Sequence, residues 1–187
     1  LCKKRLKDEF ISHPEYQQDR FQKLIEELRR SPIAIDTDAA NEQHYEVATD
    51  FYLASLGKRL KYSCAYYPDA NTTLDQAEEE MLALYSKRAE LDNDQEILEL
   101  GCGWGSLTLW MAENYPRSKI TAVSNSSSQK SYIDQLCRKA GFDNVTVITA
   151  DVNFLELESA QFDRVISIEM FEHMRNYRQL FERISDW

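Results

Sequence analysis

Glu96-Ile97-Leu98-Glu99-Leu100-Gly101-Cys102-Gly103-Trp104-Gly105-Ser106 is the stretch on which the fold turns. A short apolar strand runs into three alternating glycines, and a helical pattern follows over residues 107–114. Glycines let the chain bend sharply and let its backbone approach a ligand with no Cβ in the way. The helix behind them offers free N–H groups and the positive end of its dipole. Such a bend can hold an amino-acid carboxylate or a pyrophosphate. Spacing weighs against two rivals. A dinucleotide fingerprint needs a glycine where Ser106 stands, and an acid after the second strand, where Thr121-Ala122-Val123-Ser124-Asn125 has none. A P-loop needs Gly-Lys-Ser or Gly-Lys-Thr, and neither follows. The remaining alternative is a turn without a ligand, in which three glycines would cost chain entropy that packing alone rarely offsets.

Working downstream, residues 119–123 read as a second strand, and Ser127 or Ser128 caps a helix that runs to Ala140 and ends on Gly141. Residues 145–149 are a third strand rich in β-branched residues, residues 164–168 a fourth, and a helix opens near Tyr177. Strands separated by helix-length segments imply βαβ units, right-handed crossovers and a parallel sheet with helices on both faces. The expected fold is therefore α/β and Rossmann-like, with ligands off the C-terminal ends of the strands. Working upstream, Phe10, Ile11, Phe21, Leu24, Ile25 and Leu28 recur at helical spacing within residues 8–30, which Ser31-Pro32 closes. Residues 41–67 are rich in Tyr, Phe and Leu. Thr73, or alternatively Thr72, caps a helix with Leu74, Ala77, Met81, Leu84 and Tyr85 on one face. This divides the chain into an N-terminal helical region, 1–92, and the first half of a Rossmann-like domain, 93–187. The chain starts without Met and stops inside a predicted helix, so a continuation beyond residue 187 is expected.

Composition narrows the classes. The chain has 187 residues with 43% hydrophobic and 29% charged, ordinary for a globular domain with a sizeable core. Asp and Glu outnumber Lys and Arg by 32 to 22, a net charge of -10 that repels phosphate backbones and argues against nucleic acid. Leu1-Cys2-Lys3-Lys4-Arg5 is basic but no apolar run follows, so a signal peptide is not expected, nor is a transmembrane segment. Cys2, Cys64, Cys102 and Cys137 have no paired spacing, which fits reduced thiols and a cytoplasmic location.

Two further groups carry chemistry. After the second strand, Ser124, Asn125 and Gln129 are placed to hold a ribose in place of the missing acid. Asp151, beside Val152, follows the third strand, where its carboxylate can accept from an adenine amino group or serve as a solvated loop acid or cap. Where the fourth strand gives out, Glu169-Met170-Phe171-Glu172-His173 gathers two carboxylates and an imidazole, groups able to take a proton from a nucleophile. A zinc motif of the form His-x-x-Glu-His is broken, since Glu169 replaces its first His; no metal is expected.

Taken together, His44-Tyr45, Tyr62-Ser63-Cys64-Ala65-Tyr66-Tyr67, Leu98-Glu99-Leu100-Gly101-Cys102-Gly103-Trp104-Gly105 and Met170-Phe171-Glu172-His173 resemble the cyclopropane-fatty-acid synthase superfamily. The nearer likeness is to its coclaurine N-methyltransferase-like branch, and it spans roughly residues 41–180. The resemblance implies a class I methyltransferase fold and S-adenosylmethionine as cofactor. It implies cofactor contacts from Tyr62, Ser63, Gly101, Gly103, Gly105, Ser124, Gln129 and Ile168; Glu99, Asn125, Asp151 and Val152 complete the expected cofactor site. Glu169, Glu172 and His173 match the amine site of the N-methylating branch. In the lipid branch Cys64 and Glu172 match residues near a bound bicarbonate, and a glycine is usual where Glu169 stands. That departure favours an amine acceptor, because a carboxylate attracts an ammonium and an alkene gains nothing from it. Methyl transfer to a small amine is the expected function. The alternatives are methylene or methyl transfer to unsaturated acyl chains, with bicarbonate as base, and a binding module without catalysis. The family's sheet places the fourth strand centrally, so an open edge is expected beside it here.

Overall fold

A computed structural model describes residues 2–10, 13–35, 37 and 49–187. His44, Tyr45 and Ile11 lie outside the described residues. Four strands form one parallel sheet: β1 (Glu96–Leu100), β2 (Lys119–Ser124), β3 (Val145–Thr149) and β4 (Arg164–Ser167), in the order β3-β2-β1-β4. Leu98 and Leu100 of β1 point to one face, packing with Val123, Leu155 and Trp187. Ile97 and Ile120 point to the other, packing with Leu82 and Met111. Burying a side chain of this size stabilises the fold by roughly 1.5–3 kcal/mol. Both faces are covered, as parallel sheets require, and apolar residues of β1 and β2 therefore point to both sides.

The first face carries α7 (Tyr177–Asp186), whose partly buried Ile184 packs against it. The opposite face is covered by α4 (Leu74–Arg88), α5 (Ser106–Asn114) and α6 (Ser127–Ala140) through Leu82, Met111 and Ile133. Helices on both faces match the sequence expectation. Thr73 caps α4 in a reciprocal pair with Gln76, and Gly141 ends α6. The cap of α6 differs from the expected Ser127 or Ser128. Ser126 holds that place and accepts from the Gln129 N–H, so the helix begins one residue after it. Strand β4 also stops at Ser167, short of Ile168, because Glu169 turns into the left-handed region at φ 51°.

Upstream, α1 (Cys2–Glu9) and α2 (Pro14–Arg30) replace the single helical stretch read over 8–30. Pro14 disfavours helical geometry in His13, so a new helix starts with the proline in its first turn. The apolar residues there find little cover: Phe10 and Phe21 are exposed and α2 buries no residue fully. A short α3 (Thr49–Ser55) brings Tyr52 against Leu60 and Trp104. After residue 31 the chain crosses the sheet's C-terminal end, where Ala34 bridges Met174 and trades two hydrogen bonds of 3.0 Å with Asn153. Among the described residues, no helix is long and apolar enough to cross a membrane.

Strand order reverses at β1: the chain steps outward to β2 and β3, then returns to β4 on the other side. The crevice outside the carboxyl ends of β1 and β4 is where a ligand belongs in such a sheet.

Candidate active site

A cavity of about 280 Å³ occupies that crevice, with walls from the glycine bend, the end of β2, the segment after β4 and residues 60–63. Its floor is the end of β1. Glu99 is wholly buried there and accepts from the Thr108 hydroxyl of α5 at 2.5 Å. Burial pushes its carboxyl up to about 7, and the Thr108 hydrogen bond only partly offsets this.

The three glycines behave differently. All have positive φ, the conformation that alternating glycines permit. A Cβ on Gly103 would meet nothing within 4 Å, so open cavity lies above it. A Cβ on Gly105 would stand 2.7 Å from Ile133 Cγ1, and one on Gly101 would stand 2.9 Å from Met170 Cβ. Gly105 therefore caps α5 and lets α6 approach; it does not line the cavity. Three buried polar atoms on the walls have no hydrogen-bond partner: Trp104 Nε1, Ser106 Oγ and Gln129 Nε2. Unpaired buried donors cost about 1–3 kcal/mol each. All three residues contribute to the lining of this one cavity.

At the end of β2, the Ser124 hydroxyl donates to Gln129 Oε1 at 2.6 Å, which holds the Gln129 amide in the wall, and Asn125 lines the cavity beside them. After β3, Asp151 and the buried Val152 form the next wall. Asp151 is more than a solvated acid. One oxygen accepts from the Thr37 hydroxyl and the other from the Asn153 N–H, both at 2.7 Å. A carboxylate still has acceptor capacity after two such bonds.

At the end of β4, Ile168 lines the cavity and the left-handed turn at Glu169 swings its carboxylate toward residues 62–64. The Cys64 N–H donates to Glu169 Oε1 at 2.9 Å. A 3-10 turn, Phe171–His173, then presents Glu172 and His173, both exposed and both on the same cavity. The sequence-predicted acids and imidazole thus share one mouth with the glycine bend. Cys64 does not line the cavity; its Sγ lies 3.7 Å from the hydroxyl of Tyr85, which does, and its backbone N–H meets Glu169. Tyr62 lines the cavity with its ring edge-on to Tyr52, 5.2 Å between centroids.

Sequence reasoning missed Lys61 and Thr37, and it assigned Tyr85 to a helix face without placing it at the site. Lys61 is 4% exposed and donates to Ser63 Oγ and, at 3.1 Å, to the Tyr85 hydroxyl. Its ammonium also lies 4.6 Å from the Tyr85 ring centroid. Nothing in sequence separates this lysine from a surface one, since lysine is the residue least expected inside. Burial raises the Tyr85 phenol well above its usual value. Among the described residues no group of three or more His, Cys, Asp or Glu is placed to hold a metal ion.

Against known proteins, residues 34–187 match the mycolic acid cyclopropane synthetase family. The (S)-coclaurine N-methyltransferase of Thalictrum flavum subsp. glaucum is 42% identical over 164 residues, 88% of this chain and 45% of that protein. The cyclopropane-fatty-acyl-phospholipid synthase of Escherichia coli (strain K12) is 34% identical over 142 residues, 75% of this chain and 35% of the relative. A crystal structure of coclaurine N-methyltransferase bound to N-methylheliamine and SAH superposes with a TM-score of 0.89 at 41% identity, covering 98% of this chain and 53% of that one. The chain spans about half the length of the curated N-methyltransferase that it matches. The family match spans most of the chain, and the chain belongs to the mycolic acid cyclopropane synthetase family.

Proposed function

We propose that this chain carries the cofactor site and part of the acceptor site of an S-adenosylmethionine-dependent methyltransferase acting on the nitrogen of a small amine. The solved relative holds SAH, the demethylated form of that cofactor, together with an N-methylated amine. The walls of the cavity fit such a group. Open space over Gly103 suits a close backbone approach, and the orphaned Trp104, Ser106 and Gln129 atoms supply polar partners. Gly101 and Gly103 with Tyr62 and Ser63 would hold the methionine portion, and Gly105 supports the bend. Ser124, Asn125 and Gln129 would hold the ribose, with Asp151, Val152 and Ile168 around the base. Glu99 would face the positive charges. Of the N-terminal region, 1–92, the described residues 34, 35, 37 and 60–63 with Leu82 and Tyr85 would cover the cavity, and the region 93–187 supplies the sheet.

When bound, S-adenosylmethionine supplies a methyl group on a sulfonium that needs no further activation. The chain's own task is then alignment and exclusion of water. The amine must present a neutral lone pair, and Glu172 and His173 accept its proton. Glu169 orients the ammonium before that proton leaves.

The observation that carries this reading is the Glu169 carboxylate held at the mouth by the Cys64 N–H at 2.9 Å. It also weighs against the lipid alternative, in which Cys64 helps hold bicarbonate: that backbone donor is already taken. A neutral amine nitrogen is the acceptor that a fixed carboxylate serves. The test is methyl transfer from labelled S-adenosylmethionine by the full chain, offered benzylic and aliphatic amines in parallel with phospholipid vesicles. Label in an amine supports the proposal. Label in the acyl chains alone overturns it in favour of lipid modification, and cofactor binding without transfer to either leaves a non-catalytic module. The proposed setting is the cytoplasm, with a small molecule and not nucleic acid as partner, in keeping with the net charge of -10.

A further inference from the structure

Lys61 poses a physical problem. Its side chain is buried in the wall of the cavity, yet its two hydrogen bonds go to the neutral hydroxyls of Ser63 and Tyr85. No carboxylate among the described residues stands within ion-pair distance of its nitrogen. An ammonium has three donors, so one remains beyond these two. A buried charge without a counter-ion costs several kcal/mol, and proteins keep such groups where a ligand completes the pair. Burial lowers the Lys61 pKa, while Cys64, Glu169 and Glu78 act on it from a distance in the opposite sense. The Glu78 carboxylate is already engaged by the Gly57 and Arg59 N–H groups, at 3.1 and 2.9 Å. The Glu169 carboxylate is engaged by Cys64.

The ligands proposed for this cavity make the problem sharper. A sulfonium and an amine are both cationic, and a third cation beside them is tolerated only with an anion at hand. S-adenosylmethionine brings one such anion, its amino-acid carboxylate. The placement agrees. Tyr85, which carries the Lys61 ammonium over its ring, packs against the cluster that contains Leu107 of the first turn of α5. Anions are favoured at that end of a helix. Glu99 lies in the same cavity, bonded to Thr108 of the same helix, and offers the opposite charge for the α-amino group.

We infer that Lys61 is the anchor for the cofactor's carboxylate, its ammonium held in place by the hydroxyls of Ser63 and Tyr85. The inference rests on the cofactor reading above and adds a residue to it. A charge-assisted bond of this kind is worth about tenfold or more in affinity.

The experiment compares equilibrium binding of S-adenosylmethionine with that of decarboxylated S-adenosylmethionine, which lacks only the carboxylate. Both are titrated into the full chain and into its Lys61→Met and Lys61→Arg variants. The wild-type chain is expected to prefer S-adenosylmethionine by about tenfold or more. Lys61→Met should erase that preference by weakening S-adenosylmethionine alone, and Lys61→Arg should restore part of it. A wild-type chain that binds both alike overturns the inference with no variant needed. So does a Lys61→Met variant that weakens both compounds equally, since that is the mark of a structural role. A wild-type chain that binds neither compound overturns the cofactor reading itself, and the inference with it.

Discussion

Glu99→Gln removes a buried charge while keeping the shape of the side chain, and its effect should depend on pH in a defined way. Glu99 sits wholly buried at the end of β1, and its carboxyl rises from 4.5 to about 7, chiefly through burial. That rise corresponds to roughly 3 kcal/mol between the protonated and ionised forms. The folded chain binds this proton more tightly than the unfolded chain does. Glu99 therefore contributes its full stability below about pH 4.5, and loses it progressively as pH climbs to about 7. Above that window the native state carries a desolvated carboxylate with the Thr108 hydroxyl as its partner. Gln carries no charge at any pH. Glu99→Gln should thus match the wild-type chain near pH 4.5 and exceed it by up to about 3 kcal/mol at pH 8. Urea unfolding across that range measures the difference directly. The same substitution should weaken cofactor affinity at pH 8, because the ionised carboxylate is what faces the ligand's positive charges. Stability gained where function is lost is a familiar pattern for binding sites. Wild-type and variant stabilities that run parallel with pH would refute the reasoning.

Two further outcomes separate packing from chemistry. Gly105→Ala forces a Cβ to 2.7 Å from Ile133 at φ 82°, and should cost about 1–3 kcal/mol in urea unfolding. Gly103→Ala meets no atom, so it should cost less stability but at least tenfold in cofactor affinity; the reverse ranking contradicts the assignment of the two glycines. Replacing Glu172 and His173 together by Ala should lower turnover about 100-fold or more while cofactor affinity holds, and turnover near the wild-type rate would remove them as proton acceptors.

The strands and the glycine bend were legible because their signal is local. β3 is β-branched over its whole length and β1 carries Ile97, Leu98 and Leu100, and the structure reproduces the bounds read for both. The acid-histidine group was legible for a similar reason: its residues fall within five positions, so adjoining turns deliver them to one place. Contacts between distant segments left no such trace. Thr37 meets Asp151 across 114 positions, and Cys64 meets Glu169 across 105. Lys61 reads as a surface residue until the fold buries it against Tyr85. The break at His13-Pro14 was present in the sequence, but apolar spacing on either side outweighed it in the reading. The α6 cap was misplaced by one or two residues because Ser126, Ser127 and Ser128 are all competent acceptors. Only the geometry of the turn selects Ser126.

The central claim is that the bend after β1 cradles the amino-acid end of S-adenosylmethionine. Calorimetric titration of the full chain with S-adenosylmethionine, and separately with its demethylated product, tests it most directly. The account predicts saturable binding of both, one molecule per chain. Titrations that release no heat of binding and leave the unfolding temperature unmoved would contradict it.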